Sequence, residues 1–175
     1  MLKRFGAFRA GVVRTYTRQI LEGLDYLHHN GIVHRDIKGG NILVDDVGHV
    51  KLADFGASQK MAMGETQATT EIKGTPYFMA PEVLSDSRYG RRGDVWALGC
   101  TIIQMLTGEP PWKDLKLQSI IQLHVHLSKF EGIPPVRDVE VPNILRQFLE
   151  LCFTKDHKKR PMVDVLLEHP FIQLT

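Results

Sequence analysis

The chain has 175 residues and a mass of 19.9 kDa, and 43% of its residues are hydrophobic, which is ordinary for one globular domain. Its 22 Lys and Arg nearly balance its 20 Asp and Glu, and without a long block of one charge nucleic-acid or membrane binding is not indicated. Cys100 and Cys152 each lie in an apolar run, so we expect reduced packing residues rather than a disulfide or metal site.

The N-terminal third of the chain is predicted to begin with a loop and continue as a helix. Residues 1 to 11 show no hydrophobic period and lack the apolar core and cleavage site of a signal peptide. From Val12 onward, apolar side chains recur at three- and four-residue steps, which predicts an amphipathic helix stopped by Gly31. For His28 and His29 in its last turn, interaction with the helix's negative end is favoured over metal ligation.

Two further segments follow that helix. The apolar runs 42–44 and 50–53 flank a turn at 45–48 and predict a small β-hairpin. Residues 64–75 are poor in large apolar groups and predict a surface loop of uncommon length, which is typical of functional or disordered segments. The loop contains Thr66, Thr69, Thr70 and Thr75.

The second half of the chain is predicted to be helical. Apolar positions from Val95 to Leu106 indicate a central helix, ended by Gly108 and too short to span a bilayer. Further helices are predicted at 117–127, at 144–152 and after Pro161, which suits a first helical position. We therefore expect a mainly α fold forming one domain over residues 1–175, in a cytoplasmic or nuclear protein.

One stretch carries a recognisable chemistry. His34-Arg35-Asp36-Ile37-Lys38-Gly39-Gly40-Asn41 is followed, thirteen residues after Asn41, by Asp54-Phe55-Gly56. A carboxylate, a lysine, an amide and a second carboxylate are groups that handle phosphate and Mg²⁺. The predicted hairpin separates the two acidic motifs in sequence and can bring them together in space. The pattern predicts phosphoryl transfer.

The order and spacing of these motifs resemble protein kinases. Ala80-Pro81-Glu82, Asp94-Val95-Trp96 and the late Arg160 follow in the order of that family, so the resemblance covers nearly all 175 residues. A chance match and a degenerate kinase are the alternatives, but several motifs in order are far more specific than one, and every catalytic position present is intact. The chain resembles the helical C-terminal lobe of a serine/threonine protein kinase, in which residues 34–41 correspond to the catalytic loop and the small hairpin lies at that loop.

The resemblance implies catalytic and cofactor roles for five residues. Asp36 would orient the substrate hydroxyl and accept its proton, and Lys38 would support the charge on the moving phosphoryl group of ATP. Asn41 and Asp54 would hold Mg²⁺, which prefers oxygen ligands. Leu43 would lie under the adenine ring of ATP.

The resemblance also implies residues of specificity and regulation. Lys38 after Asp36, with Thr75 ahead of the Ala-Pro-Glu triplet, resembles the serine/threonine-specific branch, and Thr75 is expected to touch both Asp36 and Lys38. Arg35 implies activation by phosphorylation, with Thr69 or Thr70 as the modified residue pairing with its guanidinium. The alternative is that these threonines only solvate a loop.

Other matched residues are implied to be structural. Asp94 matches an aspartate that accepts backbone hydrogen bonds from the catalytic loop, although Asp is also a favoured helix N-cap. Glu82 and Arg160 match a buried ion pair, whose loss should damage the fold first. His34, Phe55 and Gly56 complete the two central motifs as structural residues.

Within the kinases, three strings most resemble those that phosphorylate MAP kinase kinases: Gly39-Gly40, Ala57-Ser58 and residues 74–82. A MAP kinase kinase substrate, a scaffold and an upstream activator are the partners this implies. The upstream β lobe of a kinase has no counterpart in the sequence, so we expect the 175-residue chain alone to bind ATP weakly and transfer phosphate poorly. The alternative is a non-catalytic, one-lobed binding module, against which the intact Asp36, Asn41 and Asp54 argue.

Overall fold

The computed structural model describes residues 6–61, 67–68, 75–86, 88–117, 119–136 and 139–174. The described part of the chain is mainly α, as predicted. Its helices are α1 (Ala10–His29), α2 (Pro81–Asp86), α3 (Arg91–Thr107), α4 (Ile120–Lys129), α5 (Asn143–Cys152), α6 (Val163–Leu167) and α7 (Pro170–Gln173). Its strands are β1 (Ile32–Val33), β2 (Ile42–Val44), β3 (Val50–Leu52), β4 (Gln59–Lys60), β5 (Gln67–Ala68) and β6 (Arg88–Tyr89).

The strands form three antiparallel pairs, β1 with β4, β2 with β3 and β5 with β6. The β2–β3 pair is the predicted hairpin, with Ile42 opposite Leu52 and Val44 opposite Val50. The other two pairs are two residues long on each side, which is too short to leave an alternating pattern in the sequence. Strand β5 lies within the predicted loop 64–75, of which the structure describes only residues 67–68 and 75.

Helix α3 is the centre of the core, as its composition predicted. Fourteen of its 17 residues are buried, and α1 and α5 pack against it. It begins four residues earlier than the apolar pattern indicated and ends at Gly108, whose φ of 81° is the left-handed conformation of a helix stop. No helix in the described ranges is long and apolar enough to cross a membrane.

Helix α1 packs its apolar stripe against this core. Val13, Ile20 and Leu24 are completely buried, as the three- and four-residue spacing predicted. The helix starts at Ala10, two residues before the predicted start, and Gly31 follows it with φ at 71°. A Cβ on Gly31 would lie 2.9 Å from the carbonyl oxygen of Met61, so both the conformation and the space require glycine at this helix end.

The prediction for the two cysteines is confirmed, whereas the prediction for Pro161 is not. Cys100 and Cys152 are free and buried, and burial raises the pKa of Cys152 to about 12, so both thiols act as neutral packing groups, as predicted. Pro161 was predicted to occupy a first helical position, and this is wrong. Helix α6 begins at Val163 with Met162 as its N-cap residue, because residues 161 and 162 still belong to the extended segment after Arg160.

The contact between α3 and the end of α5 supplies a first prediction. A Cβ on Gly99 would lie 2.9 Å from the Cβ of Cys152 and 3.1 Å from the Phe153 ring. We expect Gly99→Ala to lower the free energy of unfolding by about 1–2 kcal/mol, because overpacking costs more than the roughly 1 kcal/mol that alanine contributes to helix propensity. Chemical denaturation measures this.

Gly11 is the matched control for Gly99. It lies in α1, and a Cβ there would meet nothing within 4 Å. Gly11→Ala should therefore stabilise the chain by up to about 1 kcal/mol through helix propensity alone. Stabilisation by both substitutions would contradict the tight packing at Gly99.

Candidate active site

The β2–β3 hairpin brings the two central motifs together. A 3₁₀ turn at Gly39–Asn41 leads directly into β2, and β3 ends one residue before Ala53. The Ala53 amide donates to the carbonyl oxygen of Asn41 at 2.9 Å, which continues the ladder by one residue pair. Asp54, the next residue, is thereby held beside Asn41, so the two predicted metal ligands are neighbours despite their separation in sequence.

A hydrogen-bond network fixes the carboxylate of Asp36. Lys38 Nζ lies 2.7 Å from Asp36 Oδ2 and 2.7 Å from Thr75 Oγ1, and Thr75 Oγ1 donates to Asp36 Oδ1 at 3.0 Å. Asn41 Nδ2 donates to Asp36 Oδ2 at 2.8 Å and to the Asp36 carbonyl oxygen at 2.8 Å. Both predicted contacts of Thr75 are present, and both oxygens of Asp36 are oriented by donors.

The same network sets the charge of Asp36. Burial opposes ionisation of this carboxyl, but the hydrogen bonds from Lys38, Asn41 and Thr75, with the Lys38 charge, outweigh it and hold the pKa below its ordinary value. Asp36 is therefore ionised at neutral pH. Its side chain is 11% exposed and that of Lys38 is 27% exposed, so the pair reaches the surface where a substrate could approach.

The donor set beside this network fits Mg²⁺. Asn41 uses its amide hydrogens on Asp36, which leaves Oδ1 as the atom that could face a cation. Asp54 is exposed, and its Oδ1 accepts from the Gly56 amide at 3.3 Å. An amide oxygen and a carboxylate suit a metal that completes its shell with phosphate and water oxygens. In the ranges that the structure describes, no group of three or more His, Cys, Asp or Glu could hold a metal by itself.

An apolar surface adjoins these polar groups. Leu43 on β2 is 57% exposed and Phe55 is 49% exposed, which is unusual for large hydrophobic side chains next to a buried loop. Phe55 also contacts the His34 ring, with 5.2 Å between ring centroids. The predicted site for an adenine ring is therefore an open apolar face of the hairpin.

Asp94 anchors the backbone of the catalytic loop from beneath. This carboxylate is fully buried, and it accepts from the His34 and Arg35 amides at 2.9 Å each. The N-cap alternative for Asp94 is wrong: Gly90 is the N-cap residue, and Asp94 is the fourth residue of α3. Arg35 has a φ of 71°, a conformation that costs energy for a residue other than glycine and is held here by the bond to Asp94.

His28 is a third donor to Asp94, and the sequence-based interpretation of it was incomplete. Its Nε2 lies 2.8 Å from Asp94 Oδ2, and its side chain is buried. A helix-end interaction alone does not describe this residue, which connects α1 to α3 and to the catalytic loop. His29 does remain at the helix surface, where its Nδ1 lies 3.2 Å from Asp25 Oδ1.

His34 joins the catalytic loop to the second acidic motif. The Asp36 amide lies 3.4 Å from its Nδ1, and its Nε2 lies 3.2 Å from the Ala53 carbonyl oxygen. A neutral ring protonated at Nε2 satisfies both contacts. His34 therefore holds the residue before Asp54 against the loop that carries Asp36.

Arg35 is buried, and its guanidinium contacts residues of two strands, β4 and β6. Its guanidinium donates to Gln59 Oε1 on β4 and lies 5.3 Å from the centroid of the Tyr89 ring. Thr69 and Thr70 lie outside the described residues. The pairing of Arg35 with a phosphorylated threonine therefore stays a prediction.

The predicted ion pair between Glu82 and Arg160 is present and bidentate. Arg160 Nη1 lies 2.7 Å from Glu82 Oε1, and Nη2 lies 3.1 Å from Oε2. Arg160 is fully buried, donates through Nε to the Thr154 carbonyl oxygen at 3.0 Å and lies over the Trp96 ring. The pair ties α2 to the segment before α6, which is a structural role.

One contact to the catalytic loop was missed by sequence reasoning. Gln104 Oε1 on α3 accepts from the Gly39 amide at 3.0 Å, so the loop is held at Gly39 as well as at Arg35. The available indication was a polar side chain within an otherwise apolar helical run, since such a group needs a partner when it lies near the core.

Comparison with known proteins identifies the family. The family described as "Protein kinase domain" matches residues 1–172. Together with the fold and the network around Asp36, this match defines the class: the chain belongs to the protein kinase family.

The relatives found among curated proteins are more particular. Over 98% of its length the chain is 45% identical to "Mitogen-activated protein kinase kinase kinase A" of Dictyostelium discoideum. Over 98% it is 44% identical to "Mitogen-activated protein kinase kinase kinase 2" of Arabidopsis thaliana, and over 99% it is 45% identical to "Mitogen-activated protein kinase kinase kinase 3" of Homo sapiens. The chain spans 18%, 26% and 27% of the length of these three relatives.

The Thr75 hydroxyl gives a prediction for the network itself. Thr75→Val removes a donor to ionised Asp36 and an acceptor for Lys38, so we expect the pKa of Asp36 to rise relative to the unsubstituted chain. The free energy of unfolding at pH 7 should fall by about 1 kcal/mol. Carbon-13 NMR titration of aspartate carboxyl groups and denaturation measure the two effects.

The pH dependence supplies the control for Thr75. Because the folded pKa of Asp36 is depressed, the stabilisation from its network is present above the unfolded pKa and is lost as the pH falls through the folded value. The stability difference between Thr75→Val and the unsubstituted chain should therefore shrink below about pH 4. Thr75→Ser keeps the hydroxyl and should keep the pKa of Asp36. A constant difference at all pH values would mean that Thr75 acts only through packing.

Proposed function

We propose that the chain is the C-terminal lobe, a partial domain over residues 1–175, of a MgATP-dependent kinase that phosphorylates protein serine and threonine. The observation that carries this proposal is the convergence of Lys38, Asn41 and Thr75 on the ionised carboxylate of Asp36, with Asp54 held beside Asn41. Phosphoryl transfer needs a positioned carboxylate, a cation and metal ligands at one place. Asp36, Lys38 and the oxygen atoms of Asn41 and Asp54 are proposed to supply them.

In the proposed mechanism Asp36 orients the substrate hydroxyl and accepts its proton as the oxygen attacks. Lys38 holds one Asp36 oxygen in place and offers positive charge to the phosphoryl group. Asn41 and Asp54 would hold Mg²⁺ through oxygen atoms, and Leu43 would contact the adenine ring of ATP. Bound MgATP would supply the phosphoryl group and the metal charge that offsets the developing negative charge.

Thr75 is proposed to favour serine and threonine substrates, because it bonds both Lys38 and Asp36, the combination that resembles the serine/threonine-specific branch. Arg35 is proposed to pair with a phosphate on Thr69 or Thr70 when the kinase is activated. A buried guanidinium on the catalytic loop supports this idea, since a phosphate bound there would act directly on the Asp36 loop.

The names of the relatives support a place in a MAP kinase cascade with a MAP kinase kinase as substrate. A scaffold or upstream activator as a further partner, and a cytoplasmic location, are part of the proposal that these names do not address. The 175-residue chain alone is proposed to be inactive or weakly active. Its exposed Leu43 and Phe55 support this, because nothing among the described residues covers the face on which adenine would rest.

The test compares the 175-residue chain with an extended chain, defined as the same residues preceded by the complete upstream lobe of a MAP kinase kinase kinase. Transfer of labelled γ-phosphate from MgATP to an inactive MAP kinase kinase is measured for both. We expect transfer by the extended chain and at least about 100-fold less by the 175-residue chain, which lacks an upper wall for the nucleotide. An extended chain that folds and transfers no phosphate would contradict the proposal.

The second candidate is a non-catalytic module that docks kinase substrates or regulators, and the exposed hairpin face of the isolated chain is what favours it. Capture of a MAP kinase kinase by the 175-residue chain, with no transfer by the extended chain, would support the binding module. The charge network around Asp36 disfavours it, because a binding module has no use for a partly exposed carboxylate that three side chains hold in one orientation.

A further inference from the structure

Gln19 attaches the β2–β3 hairpin to helix α1. It lies in the middle of that helix and is half-buried. Its Oε1 accepts from the Val50 amide at 2.8 Å, and its Nε2 donates to the Gly48 carbonyl oxygen at 3.3 Å. Both partners are backbone groups at the junction of the hairpin turn with β3. One side chain therefore joins the helix to the hairpin from outside the β2–β3 ladder.

These two contacts define the side chain that position 19 requires. The Val50 amide needs an acceptor, the Gly48 carbonyl oxygen needs a donor, and the side-chain amide of glutamine offers both in one group. Glutamate lacks the donor. Methionine, which has a similar length, lacks the donor and is only a weak acceptor. Gln19 therefore matches the edge of the hairpin in chemistry as well as in reach.

The hairpin needs support from outside because it is small. Strands β2 and β3 contain three residues each, and a two-stranded hairpin is at best marginally stable by itself. Asp45 closes the turn internally, because its Oδ1 accepts from the Val47 amide at 3.2 Å and from the His49 amide at 2.7 Å. That closure shapes the turn, whereas the bonds from Gln19 fix the turn to a helix of the core.

Helix α1 meets β3 again one helical turn further along. A Cβ on Gly23 would lie 3.1 Å from Leu52 Cδ1, so the strand closely approaches the helix at this point. Residues 19 and 23 are four apart and therefore lie on one face of α1. This face follows β3 from Val50 to Leu52, the second residue before Asp54.

The other end of the hairpin is the candidate metal site. The bond from the Ala53 amide to the Asn41 carbonyl oxygen, which holds Asp54 beside Asn41, continues the ladder from Leu52. We propose that Gln19 is a positioning residue for Asp54: it fixes β3 on α1 and thereby sets the place of the Asp54 carboxylate beside Asn41. The role of Asp54 toward Mg²⁺ rests on the proposed function, whereas the effect of Gln19 on the Ala53 bond does not.

Hydrogen exchange in the 175-residue chain tests the positioning itself. We expect the Val50 and Ala53 amides to exchange about fivefold faster in Gln19→Met, because the hairpin opens as one unit when its attachment is lost. The rates are taken relative to the Ile102 amide in the centre of α3, which reports global unfolding. Faster exchange at Val50 alone would show that the Gln19 bonds act only locally and would overturn the proposal. Unchanged exchange at both amides would also overturn it.

The Mg²⁺ requirement of the extended chain tests the consequence for Asp54. In Gln19→Met the free Mg²⁺ concentration that gives half-maximal phosphate transfer should rise about threefold to tenfold, while kcat at saturating Mg²⁺ stays within about twofold. A lower kcat with an unchanged Mg²⁺ requirement would overturn the assignment to Asp54. An unsubstituted extended chain without any transfer would contradict the proposed function instead, and hydrogen exchange would still decide whether Gln19 positions the hairpin.

Two further variants control for side effects of the substitution. Gln147→Met makes the same change at an exposed position of α5, and it should alter the Ala53 exchange rate and the Mg²⁺ requirement by less than about twofold. Gln19→Glu keeps an acceptor for the Val50 amide, so its exchange rates should lie between those of Gln19→Met and the unsubstituted chain. Equal rates in both Gln19 variants would overturn the assigned acceptor. Gln19→Glu also supplies the test if Gln19→Met does not fold.

Discussion

Asp36→Asn in the extended chain is expected to lower kcat by a factor of about 10² to 10⁴, the range that a general base contributes. The substitution keeps the size of the side chain and removes the charge that accepts the substrate proton and attracts Lys38, which lies 2.7 Å away. The KM for ATP should change little, because Asn41 and Asp54 are proposed to hold the metal. Steady-state kinetics with varied ATP and saturating protein substrate separates the two constants.

Asp46→Asn is the control for Asp36→Asn, since it makes the same chemical change at an exposed position in the hairpin turn. Its kcat should stay within about twofold of the unsubstituted chain. The melting temperature of both variants shows whether they fold. A folded Asp36→Asn variant with more than about a tenth of the original kcat would mean that Asp36 is not the base.

The largest loss of stability is expected at Asp94. Asp94→Asn replaces one acceptor oxygen of the carboxylate by an NH₂ group, which can only donate. That group would then face another donor, either His28 or a backbone amide of the catalytic loop, and the site is fully buried. Breaking such a buried charged network costs about 3–5 kcal/mol. The melting temperature should fall by roughly 6–20 °C in a chain of this size. Calorimetry or circular dichroism measures it.

The effect of Asp94 on activity should be separate from its effect on folding. At a temperature where the variant is still folded, the Arg35 amide should lose its hydrogen bond to residue 94. This should lower kcat, because Asp36 follows Arg35 directly and would be less firmly positioned. Asp164→Asn is the matched control: Asp164 also lies in the first turn of a helix but is exposed, so its melting temperature should change by less than about 2 °C. A similar melting temperature for both variants would show that Asp94 does not anchor the loop.

Much of the fold was predictable from local pattern. The buried face of α1 follows the 3.6-residue period, and the central place of α3 follows from its apolar composition. Strands β2 and β3 follow from two short apolar runs on either side of a turn. The pairs β1–β4 and β5–β6 were not predictable, because two-residue strands leave no period and their pairing is set by tertiary contacts. Pro161 was misplaced for a related reason: helix propensity gives helix starts only to within a few residues.

Only some residues of the candidate site could likewise be predicted from the sequence. The residues of the two central motifs, Asp36 and Asn41 among them, were found from their order and spacing. His28 and Gln104 were not, because their partners Asp94 and Gly39 lie 66 and 65 residues away in the chain. The position of His28 four residues after buried Leu24 was the available indication that it faces the core and needs a partner.

The most direct test of the proposed function is the identity of the residue that the extended chain phosphorylates. Mass spectrometry of a MAP kinase kinase after incubation with the extended chain and MgATP locates the new phosphate. The network of Thr75 with Asp36 and Lys38 predicts phosphoserine or phosphothreonine, and none when Asp36→Asn replaces the unsubstituted chain. Phosphotyrosine alone, or the same phosphate in both reactions, would contradict a serine/threonine kinase that works through Asp36.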